Sequence, residues 1–145
     1  MAPQSNPELK KKILAKLTGP TLCALATLTE DGKPWVRYVT PFADENLTLW
    51  MATFIGSRKV AQIRKNHEVH LTTGVATMET AESYLQIQGR AEILTDEATK
   101  KSVWFDPLKN IFSGPDDPHY AVCKIIPYRI EYQSMGMVPP EIWDA

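Results

Sequence analysis

What most constrains this chain is a succession of strand-length runs punctuated by turn residues. Residues 21–29 (TLCALATLT) are apolar on both alternating sets, the pattern of a strand covered on both faces. Asp31-Gly32, within 30–33, is a hairpin signal, and the return strand is 35–40, with Trp35, Arg37 and Val39 on one face. A turn at 44–46 leads into 47–53, where Leu47, Leu49 and Met51 alternate with Thr48, Trp50 and Ala52. These three consecutive strands predict an antiparallel meander. Residues 68–74 are a fourth strand, and 82–94 a long fifth, where Gly89 marks a bulge or bend of the kind found in barrels. Residues 120–126 and 128–133 read as a final pair of strands with Pro127 between them.

Helices are few. Asn6-Pro7-Glu8 is a helix start, with Leu9, Ile13 and Leu17 on its apolar face and Lys10, Lys11, Lys12 and Lys16 mostly solvated. Thr95-Asp96-Glu97 opens another that runs to about Phe105. Residues 76–81 are a loop, and 106–118, rich in proline, are a surface loop. The tail 134–145 carries Met135, Met137, Ile142 and Trp143, too apolar for a solvated end, so it is expected to pack on something. The sum is one mainly β (α+β) domain over 1–145, with 1–6 and 134–145 as terminal extensions. Its six to seven antiparallel strands form a small barrel with flanking helices.

Between the third strand and the next helix lies Thr53-Phe54-Ile55-Gly56-Ser57-Arg58-Lys59. Gly56 permits a sharp turn, and Ser57 is a suitable N-cap whose hydroxyl can take an amide of the first turn. The helix 57–65 buries Val60, Ile63 and Ala61 and ends near Asn66. Arg58 and Lys59 stand at its positive end, where each exposed cation is disfavoured by roughly 0.3–1 kcal/mol. Either they are tolerated surface cations, or an anion bound by open amides, a hydroxyl and two cations reverses the sign. Arg37, embedded in an apolar strand, likewise needs a carboxylate or a bound anion. Arg37, Thr53, Ser57, Arg58 and Lys59 all fall at strand ends and a helix start, within reach of one phosphate. With flat apolar walls supplied by strands, the ligand is a phosphorylated molecule carrying a planar ring, and flavin mononucleotide (FMN) meets both requirements.

Other chemistries find less support. A net charge of −1 gives no broad attraction to nucleic acid or a membrane surface. No apolar run approaches the ~20 residues needed to span a bilayer, and the polar start of the chain carries no signal peptide. Cys23 and Cys123 form no CxxC pattern and read as reduced thiols of a cytoplasmic protein. His67 and His70, three apart in a strand, point to opposite faces, and His119 sits in a loop, so no metal site is expected. There is no GxSxG elbow, Walker loop or GxGxxG motif.

Arg37-Tyr38-Val39-Thr40, Thr53 and Gly56-Ser57-Arg58-Lys59, with the spacing onward to Asn66 and the strand 69–71, resemble the pyridoxamine 5′-phosphate oxidase-like FMN-binding split barrels. The nearest likeness is to their small general-stress-protein branch. The resemblance covers about 9–133 and implies a split barrel, a homodimer with two FMN molecules at its interface, and flavin redox chemistry. On that likeness Arg37, Ser57, Arg58 and Lys59 would grip the phosphate with Thr53 assisting, and Tyr38, Val39 and Thr40 would line the isoalloxazine ring. Tyr84 would be a ring contact from the other subunit. Three positions depart from the oxidases proper: their substrate-phosphate lysine, tyrosine and arginine are replaced by Phe42, Ser102 and Asp106, and the C-terminal arginine–histidine signature is missing. Vitamin B6 oxidation is therefore not expected. Where the stress-protein branch often ends its last strand in tryptophan, this chain has Tyr132-Gln133, with Trp143 as a substitute cover. The leading expectation is an FMN-dependent oxidoreductase with a small redox substrate or NAD(P)H as partner. The alternatives are a flavin-binding module without turnover, a split barrel holding deazaflavin F420 or haem, and a structural dimer.

Overall fold

The computed structural model describes residues 6–145; of the expected extension 1–6, only Asn6 lies within them. Helix α1 (Pro7–Lys16) starts as the sequence implies, the Asn6 side chain accepting the Leu9 amide at 3.1 Å. Leu9, Ile13 and Leu17 are buried, while Lys12 reaches across to pair with Glu141.

The strands are β1 (Cys23–Leu28), β2 (Pro34–Val39), β3 (Phe42–Ala43), β4 (Leu49–Phe54), β5 (Glu68–Thr73), β6 (Ser83–Leu94), β7 (Tyr120–Ser134) and β8 (Glu141–Asp144). Helix α2 (Arg58–Lys65) follows β4, and α3 (Glu97–Val103), with Asp96 accepting the Thr99 amide at its start, follows β6. All pairings are antiparallel, in the order β2-β1-β5-β6-β7-β4-β3, with β8 added to β7.

Only the first step of the expected meander forms. β1 and β2 make the hairpin, with Leu25 opposite Arg37. β4 then leaves β2 and pairs with β7, Met51 opposite Cys123. Alternation says which side chains share a face but not which strand lies alongside, so this long-range pairing was not readable locally. Residues 120–133 are likewise one strand rather than two. The register of β6 and β7 shifts between Gln88 and Gly89, placing Pro127 opposite Gly89. At such an irregularity the ladder is already interrupted, so the missing proline N–H costs little. A Cβ on Gly89 would lie 3.0 Å from Ile125 Cγ2 and 3.0 Å from the Ile126 carbonyl, which is why the bulge requires glycine.

Three smaller departures are local in extent. β4 begins at Leu49 rather than residue 47, because Leu47 belongs to the preceding turn: its φ is 66°, and Asp44 Oδ1 accepts the amides of Asn46 and Thr48. A 3-10 turn (Asp106–Asn110) occupies the start of the proline-rich loop. Ala61 is exposed, since α2 packs through Val60 and Ile63 alone.

The sheet curls around a core in which Leu25, Leu49, Leu71, Leu85, Ile87 and Ile125 meet the apolar face of α1 and Ile63 of α2. A second cluster, Val103, Leu108, Phe112, Tyr120 and Val122, lies under α3 and the 3-10 turn. The tail packs as expected: β8 pairs with β7, Trp143 opposite Ile130, and the Trp143 ring rests against the main core. Among the described residues no helix is long and apolar enough to cross a membrane.

Candidate functional site

The N-terminus of α2 gathers three cations. Ser57 is its cap residue, extended at φ −73°, ψ 156°, but its hydroxyl makes no capping bond. This corrects the expected cap. Instead Ser57 Oγ accepts from Lys59 Nζ at 3.4 Å, leaving the opening of the helix uncapped by side chains. The Ser57 amide donates to the Phe54 carbonyl and the Val60 amide to Ser57. Among the described residues the amides of Arg58 and Lys59 find no backbone acceptor ahead of the helix. Open amides at a helix start are the backbone half of an anion site.

Arg37 enters this region from β2. Its guanidinium donates to Thr27 Oγ1 at 2.7 Å, to the Leu25 carbonyl at 3.3 Å and to Gln62 Oε1 at 2.9 Å. All of these acceptors are neutral, so the strand cation is held in place without being neutralised. Arg58 lies over the Trp35 ring, 5.0 Å from its centroid. Neither arginine nor Lys59 forms an ion pair with any carboxylate among the described residues.

That arrangement disfavours the charged forms. Burial, and after it the neighbouring Arg37, pulls the Lys59 ammonium below its ordinary value. Burial, and then Arg58, does the same to Arg37. Partly desolvated like charges without a counter-ion are destabilising as they stand, and a bound anion removes the penalty. Thr53 adds a second incomplete group. It is only 4% exposed, and its Oγ1 has no hydrogen-bond partner among the described residues. Buried hydroxyls are normally paired, so this orphan, which lines the same cavity as Lys59, could take a hydrogen bond from or to a ligand atom.

Five of the sequence-predicted residues fall into two neighbourhoods, neither of which Arg37, Ser57 or Arg58 lines. Thr40, Thr53 and Lys59 line one cavity of about 240 Å3. Tyr38 and Tyr84 line a groove of about 570 Å3 on the outer face of the sheet, together with Ala24 and Thr72. Tyr38 is 76% exposed there. The Val39 side chain belongs to the core, which leaves its backbone as the part able to meet a ligand.

Sequence reading missed Thr27 and Gln62, which aim Arg37, and Trp35 as the platform for Arg58. Arg37 signalled that it needed a partner, but which neutral side chains supply it depends on how α2 crosses β1. Of the histidines, His70 lies in β5 and His67 just before it rather than in the same strand. His67 Nδ1 meets the Ala91 carbonyl at 2.8 Å, and His119 pairs with Asp117. No group of three metal-ligating side chains occurs among the described residues.

Comparison with known proteins gives a consistent result. The family model described as pyridoxamine 5′-phosphate oxidase matches residues 9–134. General stress protein 26 of Bacillus subtilis (strain 168) is 31% identical over 133 residues, 92% of this chain and 94% of that protein. The crystal structure of General Stress Protein 26 from Bacillus anthracis str. Sterne superposes with a TM-score of 0.79 at 30% identity, covering 95% of this chain and 99% of the other. A pyridoxine/pyridoxamine 5′-phosphate oxidase of Aeromonas hydrophila subsp. hydrophila is 30% identical over 107 residues, 74% of this chain, but the match spans only 46% of its length. The curled antiparallel sheet with flanking helices is thus the split barrel of these proteins.

Proposed function

The chain belongs to the pyridoxamine 5′-phosphate oxidase family, and from that premise we propose that it is a cytoplasmic FMN-binding flavoprotein acting as an oxidoreductase. One observation carries the reading: Arg37, Arg58 and Lys59 converge on the open end of α2 with no carboxylate paired to them. The orphaned Thr53 hydroxyl, in the same cavity as Lys59, supports it. These residues and the Ser57 hydroxyl would hold the FMN phosphate, each charged contact being a charge-assisted hydrogen bond. The bound flavin would supply the redox chemistry; the protein contributes grip, orientation and exclusion of water. Gln62 and Thr27 keep the Arg37 fork in one orientation, so less entropy is lost when the phosphate arrives.

The proposal extends to a homodimer. β2 is the edge of the sheet, and Val36 and Tyr38 are exposed on it beside the small side chains Ala24 and Ala26 of β1. An edge strand with apolar side chains of this kind is a surface for a second copy. Burying it would cover the groove that contains Tyr38 and Tyr84.

The substrate positions argue against pyridoxamine phosphate. Phe42 lines the smaller cavity, Ser102 Oγ donates to the Thr99 carbonyl, and Asp106 is an exposed carboxylate. None offers a cation to a substrate phosphate. The reading is tested by extracting the cofactor from purified protein for mass spectrometry and recording the visible spectrum. FMN with a flavin band is the expected result; a deazaflavin band, a Soret band or no chromophore after FMN reconstitution would refute it. Anaerobic bleaching by NADPH or NADH then tests turnover, and sedimentation tests the dimer.

A further inference from the structure

Of the three histidines, His70 alone has a ring that nothing holds. His67 and His119 each engage an acceptor through Nδ1, whereas among the described residues His70 enters no side-chain hydrogen bond or ion pair. It stands half-buried on the outer face of the sheet, with Ala26 of β1 on one side and Gln88 of β6 on the other. The ring lines two adjoining cavities of about 360 Å3 and 280 Å3. The charged groups around it are already committed to one another. Glu68, two residues away on β5, takes Arg90 at 3.0 Å and the Tyr128 hydroxyl at 2.7 Å. Glu131 of β7 takes Arg129 at 2.9 Å, and Arg129 also reaches Asp144 of β8 at 3.5 Å. β1, β2 and β6 contribute only uncharged side chains to the two cavities. Burial pushes the His70 imidazole below its ordinary value, with the Glu131 charge opposing the shift.

This face is continuous with the β2 edge, since Val36, Ala26, His70 and Gln88 form one cross-strand row. A two-fold axis sets the same patch against itself, so a face with an excess of one charge would repel its own copy. Here the arginines and carboxylates cancel in pairs within the protomer. Between the Arg129–Glu131 pair and β2 lie the uncharged Ala24, Ala26, Thr72, Gln86 and Gln88. We propose that a second copy packs on this face and that His70 makes the association acid-labile, the seam closing over the neutral imidazole and opening when the ring takes a proton. The proposal rests on the homodimer reading above. A protonated ring in the seam would be desolvated with its nearest carboxylates already paired, and the two-fold axis brings one such ring from each copy into the same interface. Association is therefore complete above the ordinary 6.5 of histidine and is lost as pH falls through the lowered value, with uptake of a proton by each copy.

The test is sedimentation equilibrium of the full-length protein as purified, between pH 8 and pH 5.5, beside His70→Gln, which keeps a polar side chain that cannot titrate. His70→Ala stands in should the glutamine fail to pack. The dimer Kd of the parent is expected to rise about tenfold or more between pH 7.5 and pH 5.5, while the variant keeps its pH 7.5 value. A parent dimer that holds equally well at pH 5.5, or a variant dimer that dissociates in parallel with it, overturns the proposal. Circular dichroism at each pH follows the fold, and loss of secondary structure in step with dissociation overturns the proposal too, since acid would then be unfolding the chain. A protein that is monomeric already at pH 8 fails the homodimer reading and this proposal with it, whereas a dimer indifferent to pH fails the proposal alone.

Discussion

Replacing Arg58 and Lys59 together with alanine should move cofactor affinity and apo-protein stability in opposite directions. On the proposed reading each residue would make a charge-assisted bond to the FMN phosphate worth roughly 1.5–3 kcal/mol, so the pair would be worth about 3–6 kcal/mol. At about 1.4 kcal/mol per tenfold, FMN should bind ~100- to 10,000-fold more weakly. Arg58 is exposed and belongs at the low end of its range; Lys59 is half-buried and belongs higher. The apo-protein tells the other half. Removing two cations from a helix N-terminus relieves about 0.3–1 kcal/mol each, and losing the Arg58–Trp35 contact costs about 0.5–1 kcal/mol. The apo-variant should therefore melt no lower than the parent. Flavin fluorescence quenching gives the affinity, and thermal denaturation of cofactor-free protein gives the stability. An unchanged Kd would refute the phosphate placement. A fall in apo stability matching the fall in affinity would show that the cations serve the fold instead.

Three further outcomes are expected. The Lys59 ammonium is held below its ordinary 10.5 by burial and Arg37, so the free protein is strained by its charge and gains stability as pH rises through that lowered value towards 10.5. A phosphate needs the charged form, so FMN affinity should fall over the same window, and Lys59→Arg should flatten the fall; an identical pH profile for both proteins would contradict this. Gly89→Val forces a side chain against Ile125 Cγ2, the Ile126 carbonyl and Pro127 Cα, and overpacking of this kind costs about 1–3 kcal/mol, to be read as a lower denaturation midpoint in urea. Asp117, held at about 2 by the amides of Ser113 and His119, stabilises the loop above its ordinary 3.8 and loses that contribution as pH falls towards 2. Asp117→Asn should melt lower at pH 7 and show a shallower loss of stability between pH 4 and 2; parallel acid limbs for the two proteins would count against the assignment.

Much of the site could be read from residue types because its signals are local conflicts. Arg58 and Lys59 sit at the wrong end of a helix dipole, and Arg37 interrupts an apolar strand; each asks for an anion before any coordinate is known. The Ser57 cap failed as an expectation for a related reason. Cap propensity describes an isolated helix end, whereas here the Lys59 ammonium lies against the hydroxyl. The aromatic walls of the cavity that Thr53 and Lys59 line had no local signal. Phe42, Phe54 and Phe112 are separated by turns, strands and a helix; Phe42 was read only as a departure at a substrate position, and Phe112 fell in a loop expected at the surface.

Sequence alone determined the elements whose forces act within a few residues: the Asn6 and Asp96 caps, the Asp31-Gly32 hairpin, the inward face of β4, and the bulge at Gly89; β1, expected to be covered on both faces, is fully buried on one alone. Tertiary structure decided everything that depends on which distant surfaces meet. It placed β4 against β7 rather than β2, carried β7 straight through Pro127, and added β8 to β7 at the sheet. Hydrogen-bond ladders between strands are nearly indifferent to sequence, so the choice among them falls to whole-core packing, which no short window contains. By the same packing Gln62 reaches Arg37 and the Thr53 hydroxyl is buried without a partner.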